Sequence, residues 1–436
     1  MRGSTAGLQI PNGSQIYNGK MTYHSVFLEF LDTLFASFVV GPLVVTYWRG
    51  TWNLSDKFLL PHDKLHSSFA SLVLGIIGHL IFTTFQGFLK NLFNPNEHRL
   101  TFYLASRLYT SIFAIICVNT WRGGWQLIDK YTARDTLTVT SITILAILAL
   151  MALKTLRNVT APPFVIVTDS SKEYFDIPTM YKKSGTKDPG LYIFDCLFSV
   201  LVIGSLVVFV WRGLWVLLDS QLFPEDLTKS AWASFIIGYA IVGITFSMQP
   251  VMKWTCERLE GVWRVIVADI FLFISFVGTV NVWRGIWGIL DVYFLPDNKL
   301  LSDWITHGVS LVLLILLNCS NSVLVRGVYI DAEEPAGQCV IFPVYYIRLF
   351  FQKERSKKQK NLIEKIERND QHNTVLLIEN TQINHSTGGD VKVNDKIANI
   401  ANDSDSPLKK IEFSESDKKI EFKSIDEHKV MLCSNE

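Results

Sequence analysis

The chain has 436 residues, of which 49% are hydrophobic and 19% charged, and its formal net charge is +1. A soluble protein of this length would carry more charge and shorter apolar runs, so the composition excludes that class and indicates a polytopic membrane protein. The net charge averages an apolar part and a charged tail and identifies no partner, and we expect no nucleic-acid partner.

The N-terminal region, residues 1–24, is polar, and Met1 to Lys20 lacks the apolar core of a cleavable signal peptide. Eight apolar runs follow, several of them close to the ~20 residues that a helix needs to cross the hydrocarbon layer. Helix is expected, since an isolated strand in lipid leaves backbone groups unpaired and the runs lack the alternation of membrane-barrel strands. The predicted spans are residues 25–47, 66–89, 103–120, 136–153, 191–210, 230–249, 265–282 and 304–325. These spans predict an all-α polytopic membrane protein with eight transmembrane helices.

One nine-residue pattern, W-R-G-x-W-x-x-x-D, occurs four times without a gap. Its fixed residues are Trp48, Arg49, Gly50, Trp52 and Asp56, then Trp121, Arg122, Gly123, Trp125 and Asp129, then Trp211, Arg212, Gly213, Trp215 and Asp219, and finally Trp283, Arg284, Gly285, Trp287 and Asp291. An apolar run precedes each copy and another follows it. We therefore predict four like-oriented hairpin repeats, with each motif in the connection between the two helices of a hairpin.

The copies also resemble each other in pairs. Asp32 and Asp195 stand sixteen residues before their motif tryptophans, whereas Arg107 and Asp269 stand fourteen residues before theirs. This pattern predicts a doubled four-helix half, residues 25–153 and 191–330, joined by a cytosolic linker at residues 154–190. Because a two-span unit keeps its orientation on duplication, the halves should be related by an axis along the membrane normal.

An even number of spans puts both termini on one side of the membrane. The basic cluster from Arg348 to Lys360 follows the last span, so we place both termini in the cytosol and the motifs outside or in a lumen. Residues 331–360 are predicted to be an interfacial and polybasic segment, because their aromatic run is too short to span. Residues 361–436 have little apolar content and are predicted to be a disordered cytosolic tail.

The motif has a physical interpretation on a helix that continues through it. The two tryptophans favour the membrane interface, and the glycine lets a neighbouring backbone approach closely. The arginine and aspartate of one copy are ~10 Å apart along the axis, so each arginine should meet an acid of a neighbouring hairpin, with the motif aspartate as one candidate. We interpret the motif as an architectural clamp, with a charged vestibule or ligand site as the alternative.

The connection after the motif should differ in the second copy. Pro61, Pro224 and Pro296 stand thirteen residues after the first tryptophan of their copies, where each would end or redirect the chain. Arg134 occupies this position in the second copy.

Four ionisable residues near the cytosolic ends of the odd spans form a second candidate site: Asp32, Arg107, Asp195 and Asp269. Charges within spans face protein or water and often mark a transport route, but a structural ion pair is the alternative. Four further polar residues in the even spans are expected to form hydrogen bonds between helices: His79, Gln86, Gln249 and Asn321.

The chain carries no nucleophile elbow, P-loop, zinc-protease motif or nucleotide fingerprint. We therefore predict that it is not an enzyme and has no catalytic residues and no cofactor. The six cysteines show neither the spacing of a metal site nor a disulfide framework.

The repeated W-R-G-x-W-x-x-x-D motif in an eight-span chain with cytosolic ends resembles the Fuseless family over about residues 25–330. The resemblance implies a presynaptic plasma-membrane protein that places voltage-gated calcium channels at active zones and supports synaptic transmission. The expected partners are then membrane lipids and calcium-channel or active-zone proteins. The alternative function is a transporter or channel for an ion or small organic anion, with a pathway lined by Asp32, Asp195 and Asp269.

Overall fold

The computed structural model describes residues 23–386 apart from 170–173, 184, 186, 332–334 and 336. Within these residues the secondary structure is helical, as predicted. The helices are α1 (Val26–Phe58), α2 (Lys64–Thr84), α3 (Gln86–Leu92), α4 (Arg99–Tyr131), α5 (Thr136–Ala152), α6 (Pro189–Gln221), α7 (Leu227–Arg258), α8 (Gly261–Tyr293), α9 (Lys299–Leu316) and α10 (Tyr346–Ser386). Seven are long and apolar enough to cross a membrane, and α5 is an apolar helix of 17 residues at the fourth predicted span.

The four helices that carry the motifs, α1, α4, α6 and α8, have 33 residues each and are called the inner helices. At 1.5 Å per residue they are about 50 Å long. The prediction that the motifs lie in hairpin connections is wrong, because each inner helix continues past its motif aspartate. The pattern contains no proline, and its fixed residues recur at the helical spacing of four, so nothing ends the helix before the turn that follows.

The outer helices α2, α5, α7 and α9 pack each on the inner helix of the next hairpin: α2 on α4, α5 on α6, α7 on α8, and α9 on α1. The last of these contacts closes the circle. Neighbouring inner helices also touch in the same cyclic order. The fold is thus a ring of four inner helices surrounded by four outer helices.

Each outer helix begins after a capping residue. Asp63, Asp135 and Asp226 accept hydrogen bonds from backbone N–H groups of the first helical turn, and Asn298 does the same for α9. The backbone N–H of the residue three positions further along lowers the pKa of each aspartate below its ordinary value. The caps therefore contribute stability above the unfolded-state pKa and lose it as the pH falls through the lowered pKa.

Two irregular stretches enter the middle of the bundle, and we call their described residues the first core segment (within residues 154–181) and the second core segment (within residues 318–345). Leu156, Val159 and Phe164 in the first, and Val323 and Val340 in the second, are fully buried. The bundle thus buries residues 155–166 of the predicted linker at 154–190, and residues 339–340 and 342–344 of the predicted interfacial segment at 331–360. Their short apolar runs bury side chains among the inner helices without being long enough to span.

The C-terminal region also differs from the prediction. Helix α10 extends through residues 361–386, which we expected to be disordered. This stretch forms a helix because it contains many strong helix formers and no proline or glycine. One compact unit ends at Glu354, and a second begins at Arg355. Residues 1–22 and 387–436, including Cys433 and the rest of the predicted tail, lie outside the described residues.

Candidate functional site

The first tryptophans of the four motifs meet at the centre of the ring. Neighbouring rings of Trp48, Trp121, Trp211 and Trp283 pack edge to face with centroids 5.3–5.7 Å apart, and the residues are 2–6% exposed. The second tryptophans, Trp52, Trp125, Trp215 and Trp287, repeat this arrangement with centroids 5.8–6.0 Å apart. We predicted that these tryptophans lie at the membrane interface, but the first tryptophans form a layer in the core of the bundle. Each of their edge-to-face pairs contributes ~0.5–1.5 kcal/mol. The common order of the two layers also shows that the four inner helices run in one direction.

The motif arginines and aspartates form a closed ring of ion pairs. The guanidinium Nε of each arginine donates to the motif aspartate of the preceding copy: Arg49 to Asp291 at 2.7 Å, Arg122 to Asp56 at 2.7 Å, Arg212 to Asp129 at 2.9 Å, and Arg284 to Asp219 at 2.8 Å. The sequence left the partner of each arginine open among the acids of neighbouring hairpins. In the ring of helices, the partner of each arginine is the motif aspartate of the neighbouring helix. Within one helix, the arginine and aspartate of the same motif are too far apart to pair.

Serines of the outer helices complete the arginine sites in three copies. Arg122 donates to Ser67 and Ser71, and Arg284 donates to Ser230 and Ser234. Arg49 donates to Ser302. In the second hairpin the corresponding residue is the buried Val139, so Arg212 depends more heavily on its aspartate.

The turn after the second motif differs, as predicted. In the other three turns Leu60, Phe223 and Leu295 adopt a left-handed backbone with φ of 49–51° directly before the proline. The second turn has no such residue and reaches its cap Asp135 one position earlier. Arg134 instead forms an ion pair with Asp129 at 2.8 Å, so this aspartate serves two arginines.

The two core segments close the ring beneath the tryptophans. The indole N–H groups of Trp48, Trp211 and Trp283 donate to the backbone carbonyls of Val323, Val159 and Pro162 at 2.8–3.0 Å. The segments also cap each other, a role that the sequence analysis missed. Asp331 accepts from the backbone N–H groups of Leu156 and Arg157, and Asp169 accepts from those of Ser320 and Asn321. This reciprocity is what a rotation axis along the bundle would produce.

The ionisable residues of the predicted spans meet the core segments or the start of α10 rather than one another. Asp32 pairs with Arg348 at 2.5 Å, and Arg107 pairs with Asp169. Asp195 accepts from the hydroxyl of Thr179 and the backbone N–H groups of Tyr181 and Lys183. The ring of three acids and one base that the sequence suggested is not formed. Because Arg348 forms this ion pair with Asp32, it is not a free member of the basic cluster from Arg348 to Lys360.

Asp269 is the exception. It is 3% exposed, and among the described residues its Oδ1 has no hydrogen-bond partner. It lines a small cavity of about 10 Å³ together with Arg157, Arg264 and Asp331. Asp269 thus occupies the place that Arg107 holds in the first half, opposite an aspartate of a core segment.

This contrast predicts opposite effects of one substitution at two sites. Asp269→Leu should stabilise the protein by ~1 kcal/mol, because it removes a buried carboxylate oxygen without a partner. Asp195→Leu should destabilise it by at least ~2 kcal/mol, because several donors lose their acceptor. Unfolding by SDS in detergent micelles, followed by circular dichroism, measures both. Equal destabilisation by the two variants would contradict this description of Asp269.

The remaining polar residues of the even spans also contact the core segments. Gln86 bonds to the backbone of Ile177, Gln249 accepts from the backbone N–H of Phe342, and Asn321 donates to Asp169. Both ring nitrogens of His79 lie 3.0–3.1 Å from backbone carbonyls, those of Gly75 and Val325. The predicted bonds between outer helices are thus mainly bonds to the segments. A signal for the first segment existed in the apolar run Phe164–Val167, which is too short to span. The start of the second segment was assigned to the eighth predicted span, 304–325, but its helix ends at Leu316.

Among the described residues no cluster of histidine, cysteine and acidic side chains could hold a metal ion. The family model described as Fuseless matches residues 27–324, which include all four motifs. No curated protein and no solved structure matches the chain.

Proposed function

Because the chain belongs to the Fuseless family, we propose that it is a presynaptic membrane organiser that holds voltage-gated calcium channels at active zones and supports synaptic transmission. In this proposal it lies in the plasma membrane with both termini in the cytosol. The helical bundle acts as a rigid frame, and the C-terminal region engages lipids and channel or active-zone proteins.

The observation that carries this proposal is the filled axis of the bundle. Eight tryptophans in two layers and two buried core segments occupy the space among the inner helices. Two of the three acids of the suggested pathway accept hydrogen bonds from backbone N–H groups, Asp195 from Tyr181 of the first core segment and Asp32 from Ile347 at the start of α10. These contacts support a scaffold more than a transport route.

A second support is the exposed basic stretch of α10. Lys353, Arg355, Lys357, Lys358 and Lys360 are exposed. The Asp32–Arg348 pair ties the first turn of this helix to α1. Basic residues next to a membrane bind anionic lipid with ~1 kcal/mol each, so this stretch suits attachment of α10 to the cytosolic leaflet.

Neutralising this stretch should therefore impair channel placement. Replacing all five basic residues by glutamine removes up to ~5 kcal/mol of lipid attraction. We expect the variant to reach the membrane but to lose most of the calcium-channel density at active zones, measured by imaging of tagged channels and by evoked release. A matched variant that exchanges the lysines and arginine for one another retains the charge and should behave as wild type.

Normal channel clustering in the glutamine variant would contradict the proposal. The transporter alternative is tested separately by reconstituting the full chain in liposomes. Ion or organic-anion flux that disappears in the triple variant Asp32→Asn, Asp195→Asn and Asp269→Asn would favour that alternative, whereas no flux would support the organiser.

A further inference from the structure

A cavity of about 270 Å³ lies between α2, α4 and α6 and reaches the second core segment. Most of its wall is apolar, with Leu72 and Ile76 on α2, Leu127 on α4 and Val208 on α6. Exposed Leu201 and Ser205 also line it, so it reaches the outer surface of the bundle. Its volume is just under the ~300 Å³ at which pockets for small molecules begin.

The position equivalent to this cavity in the second half of the chain lies between α7, α8 and α1. Side chains of the protein itself fill this position. Each residue of the first hairpin corresponds to the residue 163 positions later, the spacing of Trp48 and Trp211. Phe235 and Tyr239 therefore stand where the cavity has Leu72 and Ile76. The Tyr239 ring stacks on Phe38 with centroids 4.9 Å apart and packs at a tilt against Phe235 with centroids 4.7 Å apart.

The Tyr239 hydroxyl has a specific partner. It donates to the backbone carbonyl of Ser37 at 2.8 Å, in the π-helical turn Ala36–Val40 of α1. Pro42 has no N–H to offer that carbonyl, and the Gly41 N–H bonds to Ala36. In the second half, an aromatic ring that bears a hydroxyl group, that of Tyr239, therefore occupies the position equivalent to the cavity.

The cavity in the first half has polar groups on two of its walls. The π-helical turn Ser199–Ile203 of α6 lines it, and Ser205 stands at the position of Pro42. Thr120 and His79 lie on the opposite wall, with the Thr120 hydroxyl 3.1 Å from His79 Nδ1. A hydroxyl group that enters this cavity therefore finds both donors and acceptors.

We propose that this cavity binds a small phenol or ring-bearing alcohol from the membrane, in the place that Tyr239 and Phe235 fill in the other half. The ring packs between α2 and α6, and the hydroxyl group bonds to Ser205 or Thr120. This binding site is independent of the proposed role in channel placement.

Binding of tritiated thymol to the full-length protein in nanodiscs tests the proposal, with empty nanodiscs as the blank. We expect saturable binding at one site per chain. p-Cymene, which differs from thymol only by lacking the hydroxyl group, should compete at least tenfold more weakly. No saturable binding, or equal competition by p-cymene, would overturn the proposal.

Two sets of substitutions assign the site. Leu72→Phe with Ile76→Tyr copies the second half and should weaken thymol binding at least tenfold, whereas Ile77→Tyr on the exposed face of α2 should leave it unchanged. If the filled variant fails to fold, the reverse pair Phe235→Leu with Tyr239→Ile opens the second place and should raise the stoichiometry to two. Unchanged binding in the folded filled variant, or unchanged stoichiometry in the reverse pair, would refute the assignment.

Discussion

Gly123→Ala is expected to destabilise the protein by ~3 kcal/mol, while Gly124→Ala, one residue further along the same helix, is expected to be neutral or stabilising. A Cβ on Gly123 would lie 2.4 Å from the backbone nitrogen of Leu72 and 2.7 Å from the carbonyl oxygen of Ser68. These atoms are backbone of α2, so the whole outer helix must move. The free energy of unfolding in detergent, from SDS titration, measures the difference.

Gly124 is a close control because its Cβ would only reach Val208 Cγ1 at 3.5 Å, an ordinary contact. Alanine also favours helix over glycine by up to ~1 kcal/mol. Gly213 provides a second control, because a Cβ there meets the side chain of Thr143 at 1.8 Å. Thr143→Ala should therefore relieve part of the cost of Gly213→Ala, whereas Leu72→Ala should not relieve Gly123→Ala. Rescue in both cases would show that backbone contact is not the cause.

Asp129→Ala should be the most damaging change in the ion-pair ring and should cost ~3–5 kcal/mol. Its partner Arg212 is 1% exposed and has Val139 where other copies supply a serine, so its charge would stay buried without compensation. Asp219→Ala should cost only ~1–2 kcal/mol, because Arg284 keeps its bonds to Ser230 and Ser234. Asp219 is also 53% exposed, which weakens its pair with Arg284. SDS titration of both variants gives the comparison.

The double variant Asp129→Ala with Arg212→Met separates a buried charge from a lost contact. Removing both partners of a buried pair is often near neutral, so the double variant should recover most of the stability that Asp129→Ala loses. The exposed pair of Arg134 with Asp129 is lost in either variant and contributes ~0–1 kcal/mol. A double variant as unstable as Asp129→Ala would mean that the ion pair is not the reason for the loss.

The pattern of the chain predicted several features of the clamp that do not depend on distant contacts. Length and apolar content predicted membrane-spanning helices. The glycine was expected to admit a neighbouring backbone, and α2 does approach Gly123 in this way. Arg134 in place of proline correctly marked the second turn as different. These features depend on residues that are close in the sequence, so periodicity and turn chemistry are sufficient to predict them.

The tertiary structure decided which groups those residues meet. Burial of Trp48, Trp121, Trp211 and Trp283 follows from closing four helices around one axis, whereas a single helix with a tryptophan near its end suggests the interface. Likewise, Asp169 and Asp331 cap the opposite core segment across more than 150 residues of chain, a pairing that no local pattern predicts. The amino-acid sequence by itself determined the helices and the repeated clamp residues. Only the packing of distant segments decided that the axis is filled and that one of two equivalent places stays empty, because both depend on side chains brought together from separate hairpins.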